Sequence, residues 1–293
     1  MSFPINYQEP LFRPPSEAKS LILQVTIGCS NNDCAFCEMY KTKKFTTRRF
    51  EDIQKEIQAV AKLNIPVQKV FLADGDAFVL STKKLLQICT EVNTVFPNVR
   101  RISSYALPSN INKKSIEELK QLKVAGIEML YIGIESGDDE LLDLITKKET
   151  FESSKTALLK LKEAGIKSSV MVLTGLGGRK HTQQHALKSA QLLNETQPDY
   201  ASTLVLSFPF GVEKYKQEFK GDYIEMNKME LLIELKTFIE NLDLNATIFR
   251  SDHASNYLVL KGVLGKDKTS FLQQINHGLD HNEVLRKEWM RGL

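Results

Sequence analysis

A chain of 293 residues, 42% apolar and 26% charged, has material for both a buried core and a wetted surface, which excludes a disordered or fibrous protein. Its 39 Lys and Arg against 36 Asp and Glu leave a formal net charge of +3, so charge by itself points to neither nucleic acid nor a membrane surface. No apolar run approaches the roughly 20 residues of a membrane span, and the N-terminus lacks the basic start and apolar core of a secretion signal. The chain is therefore expected in the cytoplasm, where its four cysteines would stay as thiols.

In chain order, β-branched apolar strands alternate with amphipathic helices. Residues 21–27 read as the first strand, and at its end lies Gly28-Cys29-Ser30-Asn31-Asn32-Asp33-Cys34-Ala35-Phe36-Cys37. Three soft thiolates on one short loop, Cys29, Cys34 and Cys37, are a metal site short of one ligand. Structural zinc wants four closed ligands, and no fourth Cys or His stands nearby. A four-iron cluster can use the vacancy, with three irons on the cysteines and the fourth open to a ligand. The basic run Lys41, Lys43, Lys44, Arg48 and Arg49 that follows reads as a solvated face, with Arg48 or Arg49 the exceptions that could meet an anion.

The pattern then predicts a helix over 50–63 with Ile53, Ile57 and Val60 on one face and Asn64 at a left-handed cap. A strand over 67–73 and a helix over 81–95 come next, with Cys89 as a small core residue. A strand over 99–103 precedes Ser115-Ile116-Glu117-Glu118, whose capping-box spacing opens a helix that Gly126 stops. Strands over 129–134, 167–173 and 201–206 complete six, with a helix over 151–164 ending at Gly165. The stop signals at 124–127 and 163–166 are 39 residues apart, about one strand, loop and helix, which implies stacked parallel βα units.

Beyond residue 210 the pattern changes. Asn227 and Glu230 box the start of a helix reaching about Leu242, with Leu231, Leu235 and Phe238 as an apolar stripe. A strand over 246–249 runs into Arg250, Ser251, Asp252, His253 and Asn256, a dense set of hydrogen-bonding types that is the candidate substrate pocket. A plain polar loop is the competing reading. His181/His185 and His277/His281 are each four apart and read as surface histidines, and Trp289 reads as the anchor of the C-terminal tail.

The cysteine gaps of four and two, with an aromatic directly before the last cysteine, resemble the cluster loop of the radical S-adenosylmethionine (SAM) enzymes, whose usual gaps are three and two. The resemblance implies an α/β fold, a partial (β/α)6 TIM-like barrel over 1–210 with 1–20 as a lead-in, and a C-terminal α/β extension over 211–293. It implies a 4Fe-4S cluster on Cys29, Cys34 and Cys37, SAM on the open iron, and Phe36 against the adenine face.

Functional groups in such a barrel belong at the carboxyl ends of the strands. Asp74-Gly75-Asp76 stands where the family commonly has a Gly-Gly-Glu type motif that accepts the SAM amino group, with Asp76 in place of Glu. A simple Asp/Gly turn is the alternative. The string Gly133-Ile134-Glu135-Ser136-Gly137 also occurs in radical SAM enzymes of the porphyrin and tRNA-modifying branches, which implies Glu135 and Ser136 near the ribose and methionine ends of SAM. An N-cap role for Ser136 or Asp138 is compatible with it. Thr174 and Gly175 open a glycine-rich turn that lets backbone approach a planar adenine, and Ser104, with Ser103, is a candidate ribose contact.

The function so implied is reductive cleavage of SAM to a 5'-deoxyadenosyl radical that abstracts hydrogen from a substrate not identifiable from sequence. The compact, near-neutral chain favours a small molecule, with an electron donor such as flavodoxin or ferredoxin as partner. Two alternatives stand beside it: a tRNA- or peptide-modifying radical enzyme, and a non-catalytic iron-sulfur or zinc-binding protein.

Overall fold

The structure is a computed structural model and describes residues 3–208 and 211–291. Its elements begin with β1 (Leu21–Gln24), β2 (Thr26–Ile27), β3 (Thr46–Thr47), α1 (Phe50–Ala61), β4 (Lys69–Ala73) and α2 (Thr82–Val95). Then come β5 (Arg101–Tyr105), α3 (Pro108–Asn112), α4 (Ile116–Val124), β6 (Ile127–Glu135), α5 (Asp139–Leu144), α6 (Phe151–Ala164) and β7 (Lys167–Thr174). The chain continues through α7 (Gly178–Thr196), β8 (Tyr200–Val205), α8 (Val212–Glu218), α9 (Lys228–Glu240), β9 (Ile248–Ser251), β10 (Leu260–Val263) and α10 (Lys268–Asp280).

The local signals act where the residues place them. Ser81 accepts the Lys84 N–H to open α2, and reciprocal capping boxes open α4 at Ser115 and Glu118 and α9 at Asn227 and Glu230. Asn64 adopts φ 52 after α1, while Gly126 at φ 103 ends α4.

Two compact units form. The described residues of the first lie within Met1–Asn32, Cys37–Ile132 and Leu159–Ser168. Its strands run β1-β4-β5-β6, all parallel. The strand expected over 21–27 is split: Leu21–Gln24 pairs with β4, whereas Thr26–Ile27 turns away to pair antiparallel with β3. Phe71, Tyr105 and Tyr131 meet edge to face on this sheet, with ring centroids 5.1 to 6.2 Å apart. The lead-in is fastened by the fully buried Glu17, which accepts from Arg101 at 2.5 Å and from the Tyr131 hydroxyl at 2.6 Å.

The described residues of the second unit lie within Asp33–Phe36, Gly133–Leu158 and Ser169–Leu293. Here β7, β8 and β9 are parallel neighbours, and β10 pairs antiparallel with β9. The register sets Met171, Ser202, Arg250 and Lys261 in one row across the four strands. The opposite face, with Val170, Val172, Ala201 and Phe249, is buried. All six expected parallel strands are present as β1, β4, β5, β6, β7 and β8, and β9 adds a seventh.

Three expectations need correction. The helix α7 has no counterpart in the pattern read from sequence, because Lys180, Gln183, Gln184 and Lys188 interrupt its apolar positions. Since α7 is covered by α9 and by the turn after β6, where Gly137 leaves no room for a Cβ against the Lys188 carbonyl, His181 and His185 are buried and not on the surface. Trp289 is 79% exposed and anchors nothing. The tail is instead held by buried Leu285, by Arg286 donating to the His253 carbonyl, and by Arg291 stacked 4.0 Å over Tyr257. Among the described residues no helix is long and apolar enough to cross a membrane.

Candidate functional site

In the first unit, β4 delivers Asp74-Gly75-Asp76 at its carboxyl end. Asp74 is fully buried and fully engaged: Lys43 donates to it at 2.8 Å, Gln24 at 3.2 Å and the Gly28 amide at 3.0 Å. Lys43, expected in a solvated run, is thus the member of that run that is buried, its ammonium also donating to the Gln8 carbonyl at 2.5 Å. Arg48 forms a two-pronged pair with Glu56, and Arg49 lies exposed beside Asp52. Asp74 therefore fastens the start of the cysteine loop.

Gly75 has room for no side chain, because a Cβ there would lie 2.7 Å from the Tyr40 ring and 3.0 Å from the Cys29 Cβ. Its amide donates to the Gly28 carbonyl at 3.2 Å. Asp76 is fully buried, and its Oδ2 accepts from the Ser30 hydroxyl and from Asn110 at 2.5 Å. Its Oδ1 has no hydrogen-bond partner among the described residues. Burial pushes its pKa up to about 6 against the opposing pull of Ser30, the Leu107 backbone amide and Asn110. Nothing in the sequence marked Asn110, which reaches Asp76 from α3 after β5 turns. Ser104, on β5, donates to the Tyr105 and Leu72 carbonyls and is buried.

The cysteine loop carries three thiols within nine residues, Cys34 buried and Cys29 and Cys37 partly so. Asn32 braces it by donating to the Tyr40 carbonyl at 2.7 Å. In the second unit, the Ala35 amide donates to the Ile145 carbonyl at 3.0 Å. Among the described residues no set of three or more Cys, His, Asp or Glu groups is gathered as a metal-holding cluster.

In the second unit, β6 ends at Glu135 with φ 62, an uncommon backbone region for a non-glycine residue and one that concentrates at functional sites. Buried Lys147 donates to Glu135 Oε1 at 3.0 Å, while Oε2 has no partner among the described residues. The same ammonium lies 5.7 Å from the centre of the Phe36 ring. A Cβ at Gly133 would sit 2.0 Å from Glu135 Oε1, so any side chain there displaces that carboxylate from its present position. Lys147 carried no signal in the sequence.

Ser136 hydrogen-bonds to His185 Nδ1 at 2.8 Å and accepts the Asp138 N–H at 3.0 Å in the turn before α5, whose N-cap is Asp138 without a side-chain capping bond, so neither residue caps the helix through its side chain. At the end of β7, the Gly175 amide donates to Glu234 at 2.6 Å and its carbonyl accepts from Tyr223 at 3.1 Å. Glu234 sits inside the apolar stripe of α9, a charged residue where Leu is expected, and that was the signal available for it.

The five residues of the substrate-pocket candidate have different fates. Asn256 serves β8, accepting from the Val205 amide at 2.9 Å and donating to the Thr203 carbonyl at 2.7 Å, and Ser251 accepts from Thr203. Both line one small pocket with Thr174, Thr203, Leu231 and Leu235. Asp252 pairs with Lys261 at 2.8 Å, and His253 bonds to Ser255, its pKa lowered by burial. Arg250 is exposed on the opposite face, and among the described residues its guanidinium makes only a 3.5 Å contact, to the Phe249 carbonyl.

Residues 23–193 match the family model described as the radical SAM superfamily. The heme chaperone HemW of Bacillus subtilis is 28% identical over 145 residues, 48% of this chain and 38% of its own. The anaerobic magnesium-protoporphyrin IX monomethyl ester cyclase of Cereibacter sphaeroides is 23% identical over 209 residues, 70% of this chain and 33% of its own. The chain thus spans between a third and two fifths of the length of these relatives. Coproporphyrinogen III oxidase (HemN) from Escherichia coli, a radical SAM enzyme, shares the fold with a TM-score of 0.59 at 17% identity, over 75% of this chain and 52% of that one.

Proposed function

The chain belongs to the radical SAM superfamily, and from that premise we propose that it is an enzyme holding a 4Fe-4S cluster on Cys29, Cys34 and Cys37 and binding SAM at the strand ends. The observation that carries this reading is Asp76: a fully buried carboxylate with one oxygen unpartnered among the described residues, one residue from a glycine pressed against Cys29. An unpaired buried carboxylate oxygen is costly, and an ammonium such as that of SAM would relieve it. Three thiols suit iron and sulfide. When bound, the cluster supplies an electron that cleaves SAM to methionine and a 5'-deoxyadenosyl radical able to take hydrogen from an unactivated carbon.

The chain's own residues then divide the work. Asp74 with Lys43 fixes the entry to the cysteine loop. Asp76 receives the amino group of SAM. Phe36, with the Lys147 ammonium near its ring, Glu135, Ser136, Ser104 and the Thr174–Gly175 backbone receive the adenosine and methionine portions. Among the five candidates for the substrate, Arg250 is an exposed cation whose guanidinium meets no carboxylate among the described residues, which suits a substrate bearing an anionic group. We keep 1–210 as the barrel with its lead-in, 211–293 as the substrate-facing extension, a small-molecule substrate, a flavodoxin- or ferredoxin-like electron donor, and the cytoplasm as the compartment.

The test is anaerobic reconstitution with iron and sulfide, then dithionite and SAM, with 5'-deoxyadenosine and methionine read by mass spectrometry. Formation of both is the expected outcome. A single zinc per chain and no SAM binding would return the protein to the non-catalytic alternative, and RNA that co-purifies would favour the polymer-modifying one.

A further inference from the structure

Glu234 is an anomaly that the proposed function does not use. It lies on α9, far in sequence from every strand-end motif, and is 3% exposed. Its Oε1 accepts the Gly175 amide at 2.6 Å, and its Oε2 has no partner among the described residues. A fully desolvated carboxyl group costs several kcal/mol unless paired, so an apolar residue at this position in the stripe of Leu231, Leu235 and Phe238 would make the simpler core.

What the carboxyl group holds explains its presence. The turn after β7 is gripped from four sides by residues beyond 210. Glu234 takes the Gly175 N–H, Tyr223 donates to the Gly175 carbonyl at 3.1 Å, Tyr215 donates to the Leu176 carbonyl at 2.7 Å, and the Ile224 carbonyl accepts the Arg179 N–H at 2.9 Å. Both polar groups of the Gly175 backbone are thereby committed, at a residue with φ 83 where a Cβ would lie 2.7 Å from Leu231. The same carboxyl oxygen lies 3.9 Å from His185 Nε2. That nitrogen is 3.0 Å from the Leu173 carbonyl and must donate to it, which leaves Nδ1 to accept the Ser136 hydroxyl proton at 2.8 Å. His185 therefore connects the end of β7, at the Leu173 carbonyl, to Ser136 at the end of β6.

Resting on the reading that the end of β7 receives SAM, we propose that Glu234 is a positioning residue that sets the Thr174–Gly175 backbone for the adenosine of SAM. It touches neither SAM nor the cluster. Its effect is to keep one peptide plane from rotating, so its loss is felt as weaker SAM binding at unchanged cluster content.

The experiment compares Glu234→Gln, which keeps an acceptor for the Gly175 amide, with Glu234→Leu, which removes it. SAM affinity is measured by calorimetry on the reconstituted protein, alongside iron content and amide exchange of the peptide spanning 173–179. The Leu variant should bind SAM about tenfold or more weakly, exchange that peptide faster and hold its iron. The Gln variant should stay within about threefold of wild type, as a retained hydrogen bond requires. Equal SAM affinity in the Leu variant, or a Gln variant as weak as the Leu one, overturns the proposal. Should the Leu variant not fold, Tyr223→Phe releases the other side of Gly175 and should weaken binding about fivefold; no change in that variant, with the Gln variant impaired, overturns it as well. A wild-type protein that fails to bind SAM would remove the functional reading itself, an outcome distinct from any difference among variants.

Discussion

Lys43 shows how little a residue's local context says about its role. It stands among four other basic residues in nine positions, yet its ammonium is 5% exposed and paired with Asp74, while Arg49 six residues on is 76% exposed. The cysteines divide in the same way. Cys89, on the buried face of α2, is fully desolvated, which pushes its thiol up to about 12 and makes it inert. Replacing Cys34 or Cys37 with Ala should abolish the brown iron-sulfur absorbance of the reconstituted protein, and Cys89→Ala should leave it, both read by visible spectroscopy and iron assay. Asp76 gives a pH prediction. Its folded-state pKa is raised, so the folded protein binds the proton more tightly than the unfolded chain, and the SAM-free protein loses stability as pH rises from its ordinary range to about 6. An ammonium ligand needs the ionised form, so SAM affinity should instead rise across that window. Asp76→Asn should flatten both profiles, measured by thermal denaturation and calorimetry from about pH 3 to about pH 7, which brackets the ordinary carboxylate value and the raised one.

At the scale of elements, side chains complete what the strands begin. Asn256 acts as a short length of strand, its amide taking the Val205 N–H and giving its own to the Thr203 carbonyl where β8 has run past β9. Its replacement by Ala leaves two buried backbone groups unmet, and should lower unfolding free energy by about 2 kcal/mol or more by denaturant titration. The same view separates two readings of the polar run after β9. Ser251 and Asn256 are consumed by the fold, and Arg250, on the alternate face of the same strand, stays exposed. The turn after β7 depends equally on distant elements, since its four clamps come from residues 215, 223, 224 and 234.

At the scale of the whole molecule, a net charge of +3 on 293 residues bears on the substrate. An enzyme that grips a nucleic acid through 6 to 10 phosphates loses about 10³ to 10⁵ in affinity between about 50 and 200 mM salt. A small anionic substrate meeting one exposed arginine should lose less than about tenfold over the same range. Salt titration of substrate binding, or of tRNA retention on the immobilised protein, distinguishes the two, and a steep slope would move the reading to the polymer-modifying branch.

The sequence by itself determined whatever depends on near neighbours. The spacing of Cys29, Cys34 and Cys37, the caps at Ser115, Asn227 and Asn64, the stops at Gly126 and Gly165, and six parallel strands were legible because each is written within a few residues. Helix α7 was not legible, because its buried histidines and scattered polar residues hide the apolar period until α9 covers them. The partners of the strand-end carboxylates were decided only by tertiary structure. Lys43 reaches Asp74 across 31 positions, Asn110 reaches Asp76 across 34, and Glu234 reaches Gly175 across 59. A buried charge is made tolerable by whichever group the fold brings to it, and that group has no reason to lie close in the chain.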